Sequence, residues 1–336
     1  MLKKNKKSVQ LLRGVLFVLV LIIISAGCAP KEENKIQIRD LGRENIIFRQ
    51  PRLLDGVFVD SDKAELIPVA MVIDNFYDSR PPAGINSAAV VYEVPVEAGI
   101  TRFLAIFDFD SLPEKSGPIR SVRPYLAELA EEYKGLLLHA GGSPEALAKL
   151  KENAYQIYNI EAIGVDEKYF WRDPWRKPPF NLYISAKAIE NILKNKKITR
   201  RANFESWRFK AAESILNSEI SSKDIEIKYK EPVFWHYDPE KKSYLRFFSD
   251  DVPHLDENGQ QISTKNLILQ KTKIDIIDEV GRRRIKLDGS GVATIFQEGK
   301  KIEGIWRKEN GRTKFYDSTN QEIEFIRGNT WIEIIP

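Results

Sequence analysis

Cysteine is almost absent from this chain: Cys28 stands alone among 336 residues, beside two methionines and three histidines. A single thiol excludes an internal disulfide and a thiolate-rich zinc centre. His139, His236 and His254 are widely separated, with no His-x-x-His pair between them, so neither a metal nor another cofactor is expected. No Gly-x-Gly-x-x-Gly stretch and no Gly-rich phosphate loop ending in Lys-Ser is present, which removes the usual mononucleotide signatures. Long apolar runs are equally scarce. Val15 to Ile24 is unbroken, but it falls short of the roughly 20 residues that a spanning helix requires. No internal repeat is evident.

What is present at the front is a targeting pattern. Lys3, Lys4, Lys6, Lys7 and Arg13 precede the apolar run with no acid among them, and Ser25-Ala26-Gly27-Cys28 follows it. Basic, apolar and small-residue segments in that order make a secretion signal. A cysteine directly after Ala-Gly can be diacylated, so the stretch looks like a bacterial lipobox with Ser25 where Leu is usual. An uncleaved membrane anchor and a buried helix of a cytosolic protein are the competing readings. Removing residues 1–27 takes away five of the 52 basic residues and none of the 48 acids, leaving 47 against 48. The basic bias is therefore a targeting signal, and nucleic acid is not an expected partner. The expected partner is the cell membrane, through a lipid on Cys28, at the extracytoplasmic face.

After that signal (1–27) comes a tether (28–50) whose Lys31-Glu32-Glu33-Asn34-Lys35 is polar enough to stay solvated. Residues 51–220 read as an α/β or α+β N-terminal domain with a mixed sheet. Continuous apolar strands are predicted at Leu66–Phe76, Ala88–Val96, Arg102–Phe109 and Gly135–His139. Helices are predicted from Pro124 through Glu131, over Glu145–Asn153 with Ser143 as N-cap, and over Ala186–Asn195 and Ala202–Asn217. From residue 221 to 336, short alternating stretches separated by Asn258-Gly259, Asp288-Gly289, Gly299 and Gly328 read as a β-rich antiparallel C-terminal domain.

Three groups of residues could carry chemistry. Arg102, Arg120 and Arg123 lie near strand ends, where their forked donors match phosphate or carboxylate; Glu93 and Glu97, four apart, should share one side of their strand. Acid and guanidinium pairing within a polar pocket is the structural alternative. His139-Ala140-Gly141-Gly142-Ser143-Pro144 places an imidazole beside a helix start, suited to an anion or a general base. A cap and turn, with His139 held by a carbonyl, explains the same residues. Tyr169 to Tyr183 is dense in rings, prolines and cations, with Arg172, Arg176 and Asn181 as candidate ligand contacts; rigid packing is its other reading.

Pro68 to Asn75, Ala98 to Ala105, Gly117 to Tyr125, His139 to Pro144, Gly289-Ser290-Gly291, Trp306-Arg307-Lys308 and Thr330-Trp331-Ile332 together resemble the YerB-like lipoprotein family, a domain of unknown function with its C-terminal companion. Where members read Pro-His-Asn-Leu-Tyr-Thr, this chain has Pro179-Phe180-Asn181-Leu182-Tyr183-Ile184, so a histidine role there is closed to it. The resemblance implies a lipid-anchored extracytoplasmic protein and supplies no activity. The leading expectation is a binding or scaffold module for an anionic or carbohydrate-bearing envelope ligand, such as a cell-wall component, received by Arg102, Arg120, Arg123, His139 and Ser143. The alternatives are an envelope hydrolase or transferase using Glu93 or Glu97 with His139, and a module that docks another exported protein through its C-terminal domain.

Overall fold

The computed structural model describes residues 48–211, 223–249 and 251–336. The signal, Cys28 and nearly all of the tether lie outside the described residues, as does most of the Ser218–Lys223 stretch.

Apolar residues at the first five positions of Val69–Asp74 (β1) and at most positions of Thr101–Phe107 (β3) require cover on both faces, and both strands are buried throughout. β3 runs antiparallel between β1 and Val90–Pro95 (β2). Parallel to β1 lies Leu136–His139 (β4), and beyond it Tyr158–Glu161 (β5). The helices Pro124–Glu131 (α1), Pro144–Lys151 (α2) and Ala186–Lys196 (α3) match their predicted positions. Leu126, Leu129, Ala130 and Tyr133 recur at helical spacing and turn one stripe of α1 onto the sheet. The Ser143 side chain caps α2 by accepting from the Ala146 amide at 3.3 Å.

The C-terminal region is mostly antiparallel. Asp224–Ile227 (β6), Val233–Asp238 (β7) and Ser243–Phe248 (β8) pair in sequence as a separate sheet. Asn266–Lys271 (β9), Ser290–Gln297 (β10), Lys300–Glu309 (β11) and Arg312–Asp317 (β12) continue as a ladder. Thr330–Ile335 (β13) then inserts between β9 and β2, parallel to both. One ten-stranded mixed sheet results, in the order β12-β11-β10-β9-β13-β2-β3-β1-β4-β5. The change of composition near residue 220 is therefore not a break in hydrogen bonding: β13 bonds to β2 with Thr330 opposite Val90 and Glu333 opposite Glu93.

Helix α1 makes a second link. Glu132, just past its end, is fully enclosed and receives the Thr313 amide and hydroxyl, each at 2.8 Å, and the Arg312 guanidinium. Arg312 itself lies between the Tyr133 and Trp207 rings, 4.1 and 4.2 Å from their centroids.

The predicted helix Ala202–Asn217 is not formed in its described part. Arg208–Phe209 instead pairs in parallel with Glu324–Phe325, and residues 212–217 lie outside the described residues. Tertiary packing outweighs helix propensity here: Trp207 is buried, donates its indole N–H to the Thr313 carbonyl at 2.8 Å, and meets Phe315 and Phe325 edge-on.

All described residues fall in one compact unit. A shared sheet couples the folding of its two halves, so scanning calorimetry should record one transition with equal van't Hoff and calorimetric enthalpies. Two resolved transitions would show that the β2–β13 ladder does not couple them.

Candidate functional site

Strands β1, β2, β4, β5, β9 and β13 point the same way, so their carboxyl ends line one edge of the sheet, the place where open α/β sheets usually hold ligands. Asp74, Glu93, His139, Glu161 and Glu333 all lie at or near those ends. Arg102 starts beside them on β3, opposite Asp74.

Glu93 is the centre of the largest buried polar cluster on this edge. Register places it next to Glu333, and both are fully enclosed. Arg246 of β8 donates one Nη to both Glu93 oxygens, at 2.7 and 2.9 Å. Phe103, Trp235, Phe248 and Trp331 surround that guanidinium, with centroids 5.7, 5.9, 5.1 and 5.6 Å away. Thr101 donates to Glu93 at 2.6 Å and Asn75 at 3.1 Å. One cation cannot serve two dry carboxylates. Burial, and then the Glu93 charge, hold the Glu333 carboxyl well above its ordinary range, against the opposing pull of the Trp235 indole, which donates to it at 2.9 Å, and the Tyr229 hydroxyl, which donates at 3.0 Å. Burial, and then Arg246, push His254 well below its ordinary value, so this imidazole is neutral and its Nδ1 accepts from Arg246.

Above it opens a cavity of about 290 Å³. Glu93, Asn75 and Thr101 lie at its polar floor; Phe76, Tyr77, Ile100, Tyr229 and Val233 supply its apolar walls. At the rim Arg80 forms a bidentate pair with Glu231, 2.7 Å on each arm, and Lys230 donates to the Ala98 carbonyl at 3.1 Å. The β2–β3 turn requires Gly99. Its φ of +76° is a left-handed conformation, and a Cβ there would lie 2.8 Å from the Lys230 side chain.

The three candidate arginines gather at the same edge but are not open forks. Arg123 holds Glu97 through two bonds of 2.5 and 2.8 Å. Burial raises the Glu97 carboxyl, and the Arg123 bonds and charge outweigh it, leaving the group below its ordinary value. Arg120 meets Asp74 at 2.6 Å and lies 5.5 Å over the Phe180 ring. Arg102 is buried and donates to the Ser121 carbonyl at 2.7 Å. Glu93 and Glu97 do not share a side as their spacing predicts. β2 ends at Pro95, the alternation stops with it, and Glu97 turns toward Arg123 at the start of α1 while Glu93 faces Arg246.

His139 is enclosed between the Gly141 carbonyl at 2.9 Å and the Asn159 amide oxygen at 2.7 Å, with Glu161 at 3.3 Å. It does not line the cavity over Glu93. Ser143 and Arg123 instead share a cavity of about 200 Å³ with Arg282 and Arg283. Arg172 bonds Asn181 at 2.9 Å, and Arg176 bonds the Ser79 and Pro81 carbonyls and Glu257 at 2.8, 2.7 and 3.0 Å, so these three residues pin the aromatic loop in place. Tyr229, Lys230, Glu231, Arg246 and Glu333 were not singled out in the sequence, and His254 entered only as a histidine without metal-ligand spacing. A signal existed for Arg246 alone: it shares the inward register of β8 with Tyr244.

Two outcomes follow from the buried pair. Arg246→Met leaves Glu93 dry and unpaired and should lower stability in urea by about 3–5 kcal/mol, with Glu93→Gln/Arg246→Met recovering at least half. Glu333 has a raised folded pKa, so the folded state holds its proton longer and stability attributable to it falls as pH rises above the 4.5 of the unfolded carboxyl. Urea midpoints should show Glu333→Gln gaining on the wild type above that pH, by at most about 1.4 kcal/mol per unit; parallel curves would contradict the assignment.

Among the described residues no group of three or more His, Cys, Asp or Glu side chains could hold a metal, and no helix is long and apolar enough to cross a membrane. Comparison with known proteins matches residues 54–199 to the N-terminal domain, and 224–332 to the C-terminal domain, of a protein of unknown function, DUF3048. A Bacillus subtilis (strain 168) protein named "Putative lipoprotein YerB" is 33% identical over 289 residues, covering 84% of this chain and 85% of that protein. The crystal structure of YerB from B. subtilis superposes with a TM-score of 0.75 at 30% identity, covering 84% of this chain and 96% of that one. Matched along both halves, in sequence and in fold, this chain belongs to the DUF3048 family of two-part, YerB-like proteins.

Proposed function

We propose that the protein is a binding module held at the outer face of a bacterial cell membrane by a lipid on Cys28, and that its ligand is an anionic or carbohydrate-bearing component of the envelope. The cavity over Glu93 carries this reading. Its walls offer the ring faces of Phe76 and Tyr77 and its rim the polar groups of Arg80, Lys230 and Glu231, the combination that a sugar needs for its C–H face and its hydroxyls. The enclosed Glu93–Arg246 ion pair beneath supports a preformed site.

The same geometry favours binding over hydrolysis or transfer. Glu93 already accepts from Arg246, Thr101 and Asn75, Glu97 is held by Arg123, and His139 is enclosed elsewhere. A general acid or base needs a proton path to the substrate, and these three side chains have none in common.

Titration calorimetry of the purified chain with peptidoglycan and wall-polymer fragments tests the reading. One class should bind saturably, and Tyr77→Ala, which truncates a 63% exposed wall residue, should weaken it about tenfold, or ~1.4 kcal/mol. No saturable binding, or equal affinity in the variant, would overturn it. The anchor is tested separately by fractionation: Cys28→Ser should move the protein from the membrane fraction to the soluble one.

A further inference from the structure

We propose that Arg102 and Arg120 together receive one anionic group, a phosphate or a carboxylate, borne by the ligand of the neighbouring cavity; the inference rests on the binding reading above for the ligand, but not for the anion site itself. Charge balance is the reason. Arg123 has its own counter-ion in Glu97. Arg102 and Arg120 are left with Asp74 between them, the first facing it in register across the β1–β3 ladder and the second touching it at 2.6 Å. Two guanidiniums on one carboxylate leave a positive charge without a partner.

That charge is poorly satisfied where it is buried. Arg102 is only 3% exposed and, unlike the equally buried Arg246 and Arg312, makes no ion pair among the described residues; its hydrogen bond goes to the Ser121 carbonyl, and its enclosed Nε, like theirs, has no acceptor. A buried N–H donor ordinarily finds a partner. Burial, followed by the Arg123 charge, brings its pKa down to about 10, which still leaves a cation at neutral pH. Arg120 supplies the access, its side chain being 25% exposed.

The site adjoins the cavity through stacked rings. Phe76 lines the cavity and stacks on Phe180 with centroids 5.6 Å apart, and the Arg120 guanidinium lies over Phe180. The bridge between the two places is therefore an apolar ring. A ligand seated against Phe76 and Tyr77 would present its acidic group to Arg120 one ring further along the edge.

The test uses the full chain with inorganic phosphate and with acetate at constant ionic strength, read by calorimetry and by thermal midpoint. Saturable binding of phosphate assigns a phosphate-bearing ligand, and of acetate a carboxylate-bearing one. Either should weaken at least tenfold in Arg120→Gln, which keeps the buried Arg102 and so preserves the fold, and should persist in Tyr77→Ala. No saturable binding of either anion beyond a chloride control overturns the proposal, as does equal binding by Arg120→Gln. A loss in Tyr77→Ala as large as in Arg120→Gln would place the anion in the cavity and also overturn it. Anion binding without any envelope fragment bound would sink the cavity reading and leave this one standing.

Discussion

The Glu93–Arg246 ion pair is the constraint around which the rest is arranged. A dry carboxylate and a dry guanidinium are tolerated when they are paired with each other and further bonded by their neighbours. That condition brings β8 over the edge of the main sheet, sets Thr101 and Asn75 against the carboxylate, and encloses the guanidinium in four aromatic rings. It also specifies register. A slip of one residue in β13 would turn Glu333 to the other face, away from the Trp235 and Tyr229 donors that hold it. The polar cluster thus selects one alignment among several that apolar strands alone would accept.

The molecule treats its buried cations in two ways. Arg246 and Arg312 are each matched to an enclosed glutamate, Glu93 and Glu132, and each spans from the C-terminal half to the N-terminal half. They act as fixed joints. Arg102 is different: it lies at an edge, among two other arginines, with less acid nearby than its surroundings demand. Equal burial therefore comes with a carboxylate partner at Arg246 and Arg312 and with only a carbonyl at Arg102.

Legibility followed locality. β1, β2, β3 and β4 were readable because each is a continuous apolar run, and α2 because Ser143-Pro144 announces it. The cluster of Arg102, Arg120 and Arg123 was visible as a density of one residue type. The cavity was not, because its walls come from residues 75–80, 99–101 and 229–233, and no local pattern reports that these segments meet. Ala202–Asn217 carried helical spacing, but Trp207 and Phe209 are used by a core made of strands distant in sequence. Glu97 misled for a smaller reason: the strand stops two residues before it.

The place of β13 bears on the life history of the chain. It follows every other strand in sequence yet lies fifth of ten across the sheet. As the polypeptide emerges, β2 and β9 each keep an unsatisfied ladder edge until residues 330–335 arrive to close both. Assembly of the sheet thus waits for residues 330–335, and a long-range pairing of this kind is intrinsically slow. Postponement is a hazard for a protein folding in a crowded compartment, where bare strand edges find one another. Under the export proposed for this chain it would be an advantage, since a chain is threaded through a membrane before it folds.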